Sequence, residues 1–259
     1  MKIFVCIKQV PDTETKIKIA EDKCGIDVSS VSKWIISPYD EYALEEAVKT
    51  KESNPGAKVI AICVGPAKRT QSTLRTSLAM GADEAIAIDA PDSLDTHLTA
   101  LALAKAIKNE GGCDLVFCGK LAIDDNASAV TQQLAEFLDM PHATVVTKFE
   151  NSAGISIITR EGDGGNKELI ELKSPAVLGA SKGLNTPRFV SLPNIMKAKA
   201  KPLKEVTLAS LDVSLEQRKI SFFDFRPPPA KPSTKIVGGE AEQQVKELVR
   251  LLREESKVL

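Results

Sequence analysis

Short apolar runs alternating with amphipathic segments, with glycine and proline breakers between them, predict an α/β protein on a mostly parallel, doubly wound sheet. The runs at 3–7, 59–64, 85–88 and 115–118 are apolar without alternation, as strands covered on both faces are. Helical patterns lie between them. Residues 41–53 put Ala43, Leu44, Ala47 and Val48 on one side, support themselves with Glu45 to Lys49, and stop at Asn54-Pro55-Gly56. The pattern over 69–80 ends at Gly81, a good residue for a helix C-terminus. Those over 94–108 and 124–138 end before Gly111-Gly112 and Pro141. Strand and helix in this order imply right-handed crossovers and a Rossmann-like layout.

After Pro141 the texture changes. Residues 143–149, 155–160 and 167–172 read as strands joined by Asn151-Ser152-Ala153-Gly154 and Gly162-Asp163-Gly164-Gly165, so an antiparallel extension of the sheet is expected. Residues 176–180 read as another buried strand. From Lys182 the chain turns irregular and basic, through Pro187, Pro193 and Lys197-Ala198-Lys199-Ala200-Lys201. The stretch 204–235, with Pro227-Pro228-Pro229, does not read as a core of its own but as an extended C-terminal arm lying on something else. A last amphipathic helix over about 241–255 carries Val245, Leu248, Val249 and Leu252 on one face, to dock on the sheet or on a partner. The expected division is an α/β domain over 1–200 and, over 201–259, an arm and helix that pack on a partner subunit.

Composition removes several classes of function. A formal net charge of −1 gives no general affinity for nucleic acid or anionic membranes. Aromatics are scarce at 4%, which argues against stacking platforms for single strands. The five cysteines, Cys6, Cys24, Cys63, Cys113 and Cys118, form no CxxC pair, and only His97 and His142 are available to help them. Neither a zinc site nor a disulfide framework is implied, and a reducing compartment is expected. Lys2 leads straight into an apolar strand-like run too short for a secretory segment, and no run is long enough to span a membrane. The expectation is a cytoplasmic protein without membrane insertion.

In open parallel sheets, ligands sit beyond the carboxyl ends of the strands. That rule nominates Lys8-Gln9-Val10-Pro11-Asp12, Gly65-Pro66 and the segment that starts at Gly119. The last continues through Asp124 and Asp125 into Asn126, Ala127 and Ser128, small residues that leave N–H groups reachable for a phosphate. Asp124 and Asp125 are equally good as ordinary helix caps. No GxxxxGK[ST], GxGxxG or GxSxG occurs, and no nucleophile sits beside a base. The sequence describes a binder rather than a catalyst.

At these same segments the chain resembles the beta subunit of electron transfer flavoproteins. The resemblance is carried by Val5-Cys6-Ile7-Lys8-Gln9-Val10-Pro11-Asp12, Ser37-Pro38-Tyr39-Asp40-Glu41, Gly65-Pro66 and Leu78-Ala79-Met80-Gly81-Ala82-Asp83. It continues in Gly119-Lys120 with Ala122-Ile123-Asp124-Asp125, in Asp163-Gly164-Gly165, and in Leu184-Asn185-Thr186-Pro187-Arg188-Phe189. Leu192-Pro193-Asn194-Ile195-Met196-Lys197-Ala198-Lys199 closes it, so the match runs in order from residue 1 to about 200. The resemblance implies a heterodimer with an alpha subunit that holds most of the redox-active FAD, and AMP in the beta subunit. The AMP site would fall on Cys6, on Ser37, Pro38, Tyr39 and Asp40, and on Val64. It would also take Gly119, Lys120, Leu121, Ala122, Ile123, Asp124, Asp125, Asn126, Ala127, Ser128, Ala129 and Val130. Tyr39 and Thr13 match positions that approach the flavin from the beta side. Leu192 matches the anchor of a loop that docks on acyl-CoA dehydrogenases, with Pro193, Asn194, Ile195, Met196 and Lys197 beside it. A shuttle of electrons from those and other flavin dehydrogenases, as in fatty acid β-oxidation, to a membrane quinone oxidoreductase is what such a protein performs.

Two departures bear on this. Val130-Thr131 stands where AMP-binding members often carry Thr-Gly, and the lost hydroxyl removes one phosphate contact, about 1 kcal/mol net. Valine there also occurs in bifurcating relatives, which hold a second FAD in place of AMP and oxidise NADH. Those relatives usually end the recognition segment in Arg-Gly-Lys, whereas this chain has Leu-Pro-Asn-Ile, which favours AMP. Ser37 stands where Asn is common before the proline.

Overall fold

The computed structural model describes every residue except Ala153 and Pro232; Ala153, in the expected turn 151–154, lies outside the described residues. The first apolar run is β1 (Lys2–Ile7), followed by a short ribbon of β2 (Gln9–Pro11) and β3 (Trp34–Ile36). Then strands and helices alternate: α1 (Pro38–Ser53), β4 (Lys58–Gly65), α2 (Ala67–Met80), β5 (Glu84–Asp89), α3 (Thr96–Asn109), β6 (Leu115–Gly119) and α4 (Val130–Leu138). The antiparallel extension is β7 (His142–Ser152), β8 (Ile155–Glu161) and β9 (Lys167–Lys173), after which β10 (Ala176–Ala180) returns to the centre. A short α5 (Leu192–Ala198), an edge strand β11 (Leu203–Thr207) and α6 (Ala241–Glu254) complete the chain.

Among the described residues the main sheet runs β11-β5-β4-β1-β6-β10-β7-β8-β9, parallel from β11 to β7 and antiparallel from β7 to β9. Side chains alternate faces along each strand, so β1 sends Ile3, Val5 and Ile7 to one core and Phe4 and Cys6 to the other. The first core is closed by Leu44 and Val48 of α1 and Leu74 and Leu78 of α2. Leu98, Leu103 and Ile107 of α3 and Leu134 of α4 close the second. Burial on both faces is why these strands read as continuous apolar runs.

The compact unit extends to Phe225, not to residue 200. β11 pairs with β5 from Leu203↔Ala85 to Thr207↔Asp89, and Leu208, Leu211 and Val213 fill the second core beyond it. The sequence hid this strand because Lys204, Glu205 and Thr207 interrupt its apolar residues with the charged and polar ones of a protected edge. The expected helix over 124–138 starts only at Val130, because Asn126 and Ser128 take left-handed φ of 51° and 52°. Residues 226–259 form a second unit, in which Glu240 and Gln243 make a capping box for α6 and Arg250 pairs with Glu247 and Glu254.

The segment 184–191 is pinned to α1. Arg188 donates to Glu45 at 2.8 and 3.0 Å and to Glu52 at 2.7 Å, and Asn185 donates to Glu46 and to the Tyr42 carbonyl. α2 and α5 cap one another: Arg75 donates to the carbonyls of Ala198 and Lys201, and Lys201 donates to those of Leu78 and Ala82. Gly81 ends α2 at φ 138°, and a Cβ there would lie 2.8 Å from Val48 Cγ1. Gly81→Ala should therefore lower stability by about 2 kcal/mol, read as a shift in the denaturant midpoint at unchanged slope.

Candidate functional site

The carboxyl ends of β1, β4 and β6 open into a cavity of about 570 Å³, the position the parallel topology favours. Pro38 at the start of α1 brings Asp40 into the first helical turn, buried at the cavity floor. Asp40 Oδ2 accepts from the Lys8 N–H at 2.7 Å and Oδ1 from the Gly119 N–H at 2.9 Å, so one carboxylate joins α1 to the ends of β1 and β6. Gly119 has to be glycine: a Cβ would lie 2.8 Å from Tyr39 Cβ and closer still to the Asp40 carboxylate. Burial raises the Asp40 pKa to about 7, against the pull of those two N–H donors.

The loop after β6 is shaped by its own polar atoms. Lys8 Nζ bridges Asp124 and Asp125 at 2.8 and 2.9 Å. Burial works against that ammonium, and the two carboxylates outweigh it, raising its pKa. The Ser128 hydroxyl donates to the Lys120 carbonyl at 2.9 Å, and the Thr131 hydroxyl to the Gly119 carbonyl at 3.3 Å. Lys120 Nζ lies 4.9 Å from the Tyr39 ring centre, a cation–π contact. Ala129, at the cap of α4, offers no side-chain acceptor, so the first N–H groups of that helix stay open. On the floor the neighbouring Cys118 thiol, together with burial, raises the Cys6 pKa well above the usual range.

Most of the expected nucleotide residues meet here. Cys6, Asp40, Val64, Gly119, Lys120, Leu121, Ala122, Asp124, Asp125, Ala127, Ser128, Ala129 and Val130 line the cavity. Ser37, Pro38 and Tyr39 do not line it but place Asp40, and Ile123 and Asn126 belong to the loop without forming its wall. Thr13 is in the turn after β2, outside the lining. Leu192, Pro193, Asn194, Ile195, Met196 and Lys197 lie in α5, away from the cavity lining; Leu192 is 73% exposed, and Phe189, just before the helix, 99%.

Two walls escaped the sequence reading. Arg69 is held by Gln9 at 2.8 Å and by Asp92, and its guanidinium lies 3.8 Å over Trp34. The other wall is residues 218–225, where Arg218, Ile220, Ser221, Phe222 and Phe225 line the cavity. A signal for it existed: three of the eight phenylalanines fall within 222–225. Among the described residues no cluster of His, Cys, Asp and Glu is placed for a metal, and no helix is long and apolar enough to cross a membrane.

Asp40 binds a proton more tightly folded than unfolded, so its share of stability is present below about pH 4 and is lost as pH rises through about 7. Asp40→Asn should remove that component: between pH 5 and 7.5 the wild type loses more thermal stability than the variant. Equal slopes in the two proteins would show that Asp40 stays ionised.

Residues 27–211 match the family described as Electron transfer flavoprotein domain. Electron transfer flavoprotein subunit beta of Bacillus subtilis is 40% identical over 264 residues, with both chains covered in full. The mitochondrial subunit beta of Arabidopsis thaliana is 37% identical over 261 residues, again over all of both chains. That of Sus scrofa is 37% identical over 257 residues, 98% of this chain and 97% of the relative. Similarity of that extent, over a chain whose strand ends and glycines build one cavity, shows that the protein belongs to the electron transfer flavoprotein beta subunit family.

Proposed function

We propose that this chain is the nucleotide-holding and docking half of a heterodimeric electron transfer flavoprotein, a carrier rather than an enzyme, acting in the cytoplasm. In this reading it pairs with an alpha subunit and serves acyl-CoA and other flavin dehydrogenases upstream and a membrane quinone oxidoreductase downstream. The observation that carries the proposal is the meeting of the expected nucleotide residues in one cavity at the carboxyl ends of parallel strands.

AMP fits the residues present. A volume of about 570 Å³ is in the range of small-molecule sites. Val64, Leu103 and Val130 offer apolar contact to a purine, and the open N–H groups at the start of α4 favour a phosphate. Val130 has no hydroxyl and that of Thr131 is spent on the Gly119 carbonyl, so backbone N–H groups carry the phosphate contact. FAD, held mainly by the alpha subunit, supplies the electron chemistry when bound. Tyr39, with Lys120 against its ring, and Thr13 form this chain's side of that flavin's surroundings. The exposed apolar side chains Phe189, Leu192 and Met196 form the dehydrogenase contact, with Lys197 and Lys199 at its rim.

Denaturation of the purified heterodimer should release FAD and AMP in equal amounts. Two FAD and no AMP would favour the alternative, a bifurcating, NADH-oxidising complex whose second FAD this cavity would hold. Leu192→Ala should weaken transfer from an acyl-CoA dehydrogenase about thirtyfold, some 2 kcal/mol, at unchanged flavin spectrum and melting temperature. Early unfolding of that variant with normal transfer would remove Leu192 from the docking surface.

A further inference from the structure

One wall of the cavity is a strap, residues 218–225, that contains neither helix nor strand. It is fastened at both ends. The N–H groups of Lys219 and Ile220 donate to Asp95 Oδ2 at 2.7 and 3.0 Å, and the Phe225 N–H donates to the Lys23 carbonyl at 2.9 Å. Between these points Phe222 and Phe225 meet edge to face, 6.0 Å between ring centres, and both line the cavity.

Asp95 is 2% exposed and has two tasks. Its Oδ1 accepts from the Leu98 N–H at 2.9 Å and caps α3, a fixed part of the second core. Its Oδ2 holds the strap. Desolvation works against the charge, yet the N–H groups of Leu98, Lys219 and Ile220 keep the carboxyl below its usual range. Hydrogen bonds to an ionised acceptor are the strong ones, while a segment outside helix and strand opens locally at lower cost than the core.

We propose that Asp95 is the latch of the nucleotide cavity, and that the strap 218–225 lifts from Asp95 Oδ2 for a nucleotide to enter or leave. The proposal rests on the reading that the cavity takes AMP. It assigns to Asp95 a positioning role: it orders the wall that retains the nucleotide and sets the exchange rate.

The two oxygens allow the tasks to be separated. Asp95→Ser keeps a cap for α3 but has one oxygen, which cannot also reach the strap; Asp95→Ala loses both functions. The heterodimer is loaded with phosphate-labelled AMP and chased with unlabelled AMP. Both variants should release the label about tenfold faster than wild type, with faster amide exchange at Lys219 and Ile220. The melting temperature should fall clearly only in Asp95→Ala, and amides of β1 and β6 should stay protected in Asp95→Ser. Wild-type release from Asp95→Ser, or exchange that rises uniformly through the sheet, overturns the latch. If the wild-type complex takes up no AMP, the reading of the cavity fails and the latch fails with it.

Discussion

The site depends on one buried carboxylate. Parallel strands end in backbone N–H groups that the sheet no longer pairs, and those groups must find acceptors. Asp40 supplies both of its oxygens, to Lys8 and to Gly119, and so fixes the ends of two adjacent strands relative to α1. The close approach this needs is possible only because Gly119 has no Cβ. Everything after Gly119 inherits its position from that junction, including the loop that Lys8 fastens through Asp124 and Asp125.

Around the junction the chemistry is divided. Charged side chains near the cavity are mostly paired within the protein: Lys8 with two aspartates, Arg69 with Asp92. Open backbone N–H groups and apolar walls remain to receive a ligand, which suits retention better than reaction. The exposed apolar segment around Leu192 sits on another element, braced by Arg188 and by the mutual capping of α2 and α5. A rigid base lets Leu192 and Met196 stay exposed without collapsing onto the surface.

The sequence made the central strands legible because burial on both faces leaves uninterrupted apolar runs, and the helices legible through their breakers. The start of α4 was misplaced, since Asp124-Asp125-Asn126 reads as a cap and only the left-handed φ of Asn126 and Ser128 shows a loop. Strand β11 and the strap read as parts of an arm because charged and polar residues interrupt their apolar ones, and their pairing comes from distant partners, Ala85 to Asp89 and Asp95. Strand-end logic reaches the residues after Gly119, most of which line the cavity. It does not reach Arg69 and residues 218–225, because it nominates only the residues immediately beyond a strand.

Helix α1 carries two assignments on one rod. Asp40, in its first turn, holds the cavity floor, and Glu45 and Glu46, little more than a turn further on, hold Arg188 and Asn185 ahead of the exposed Leu192. Five residues of helix span about 7.5 Å, a length set by covalent geometry and not by loop conformation. The cavity and the exposed apolar segment thus share one ruler: a shift of Asp40 is carried along the helix to the carboxylates that brace Arg188 and Asn185.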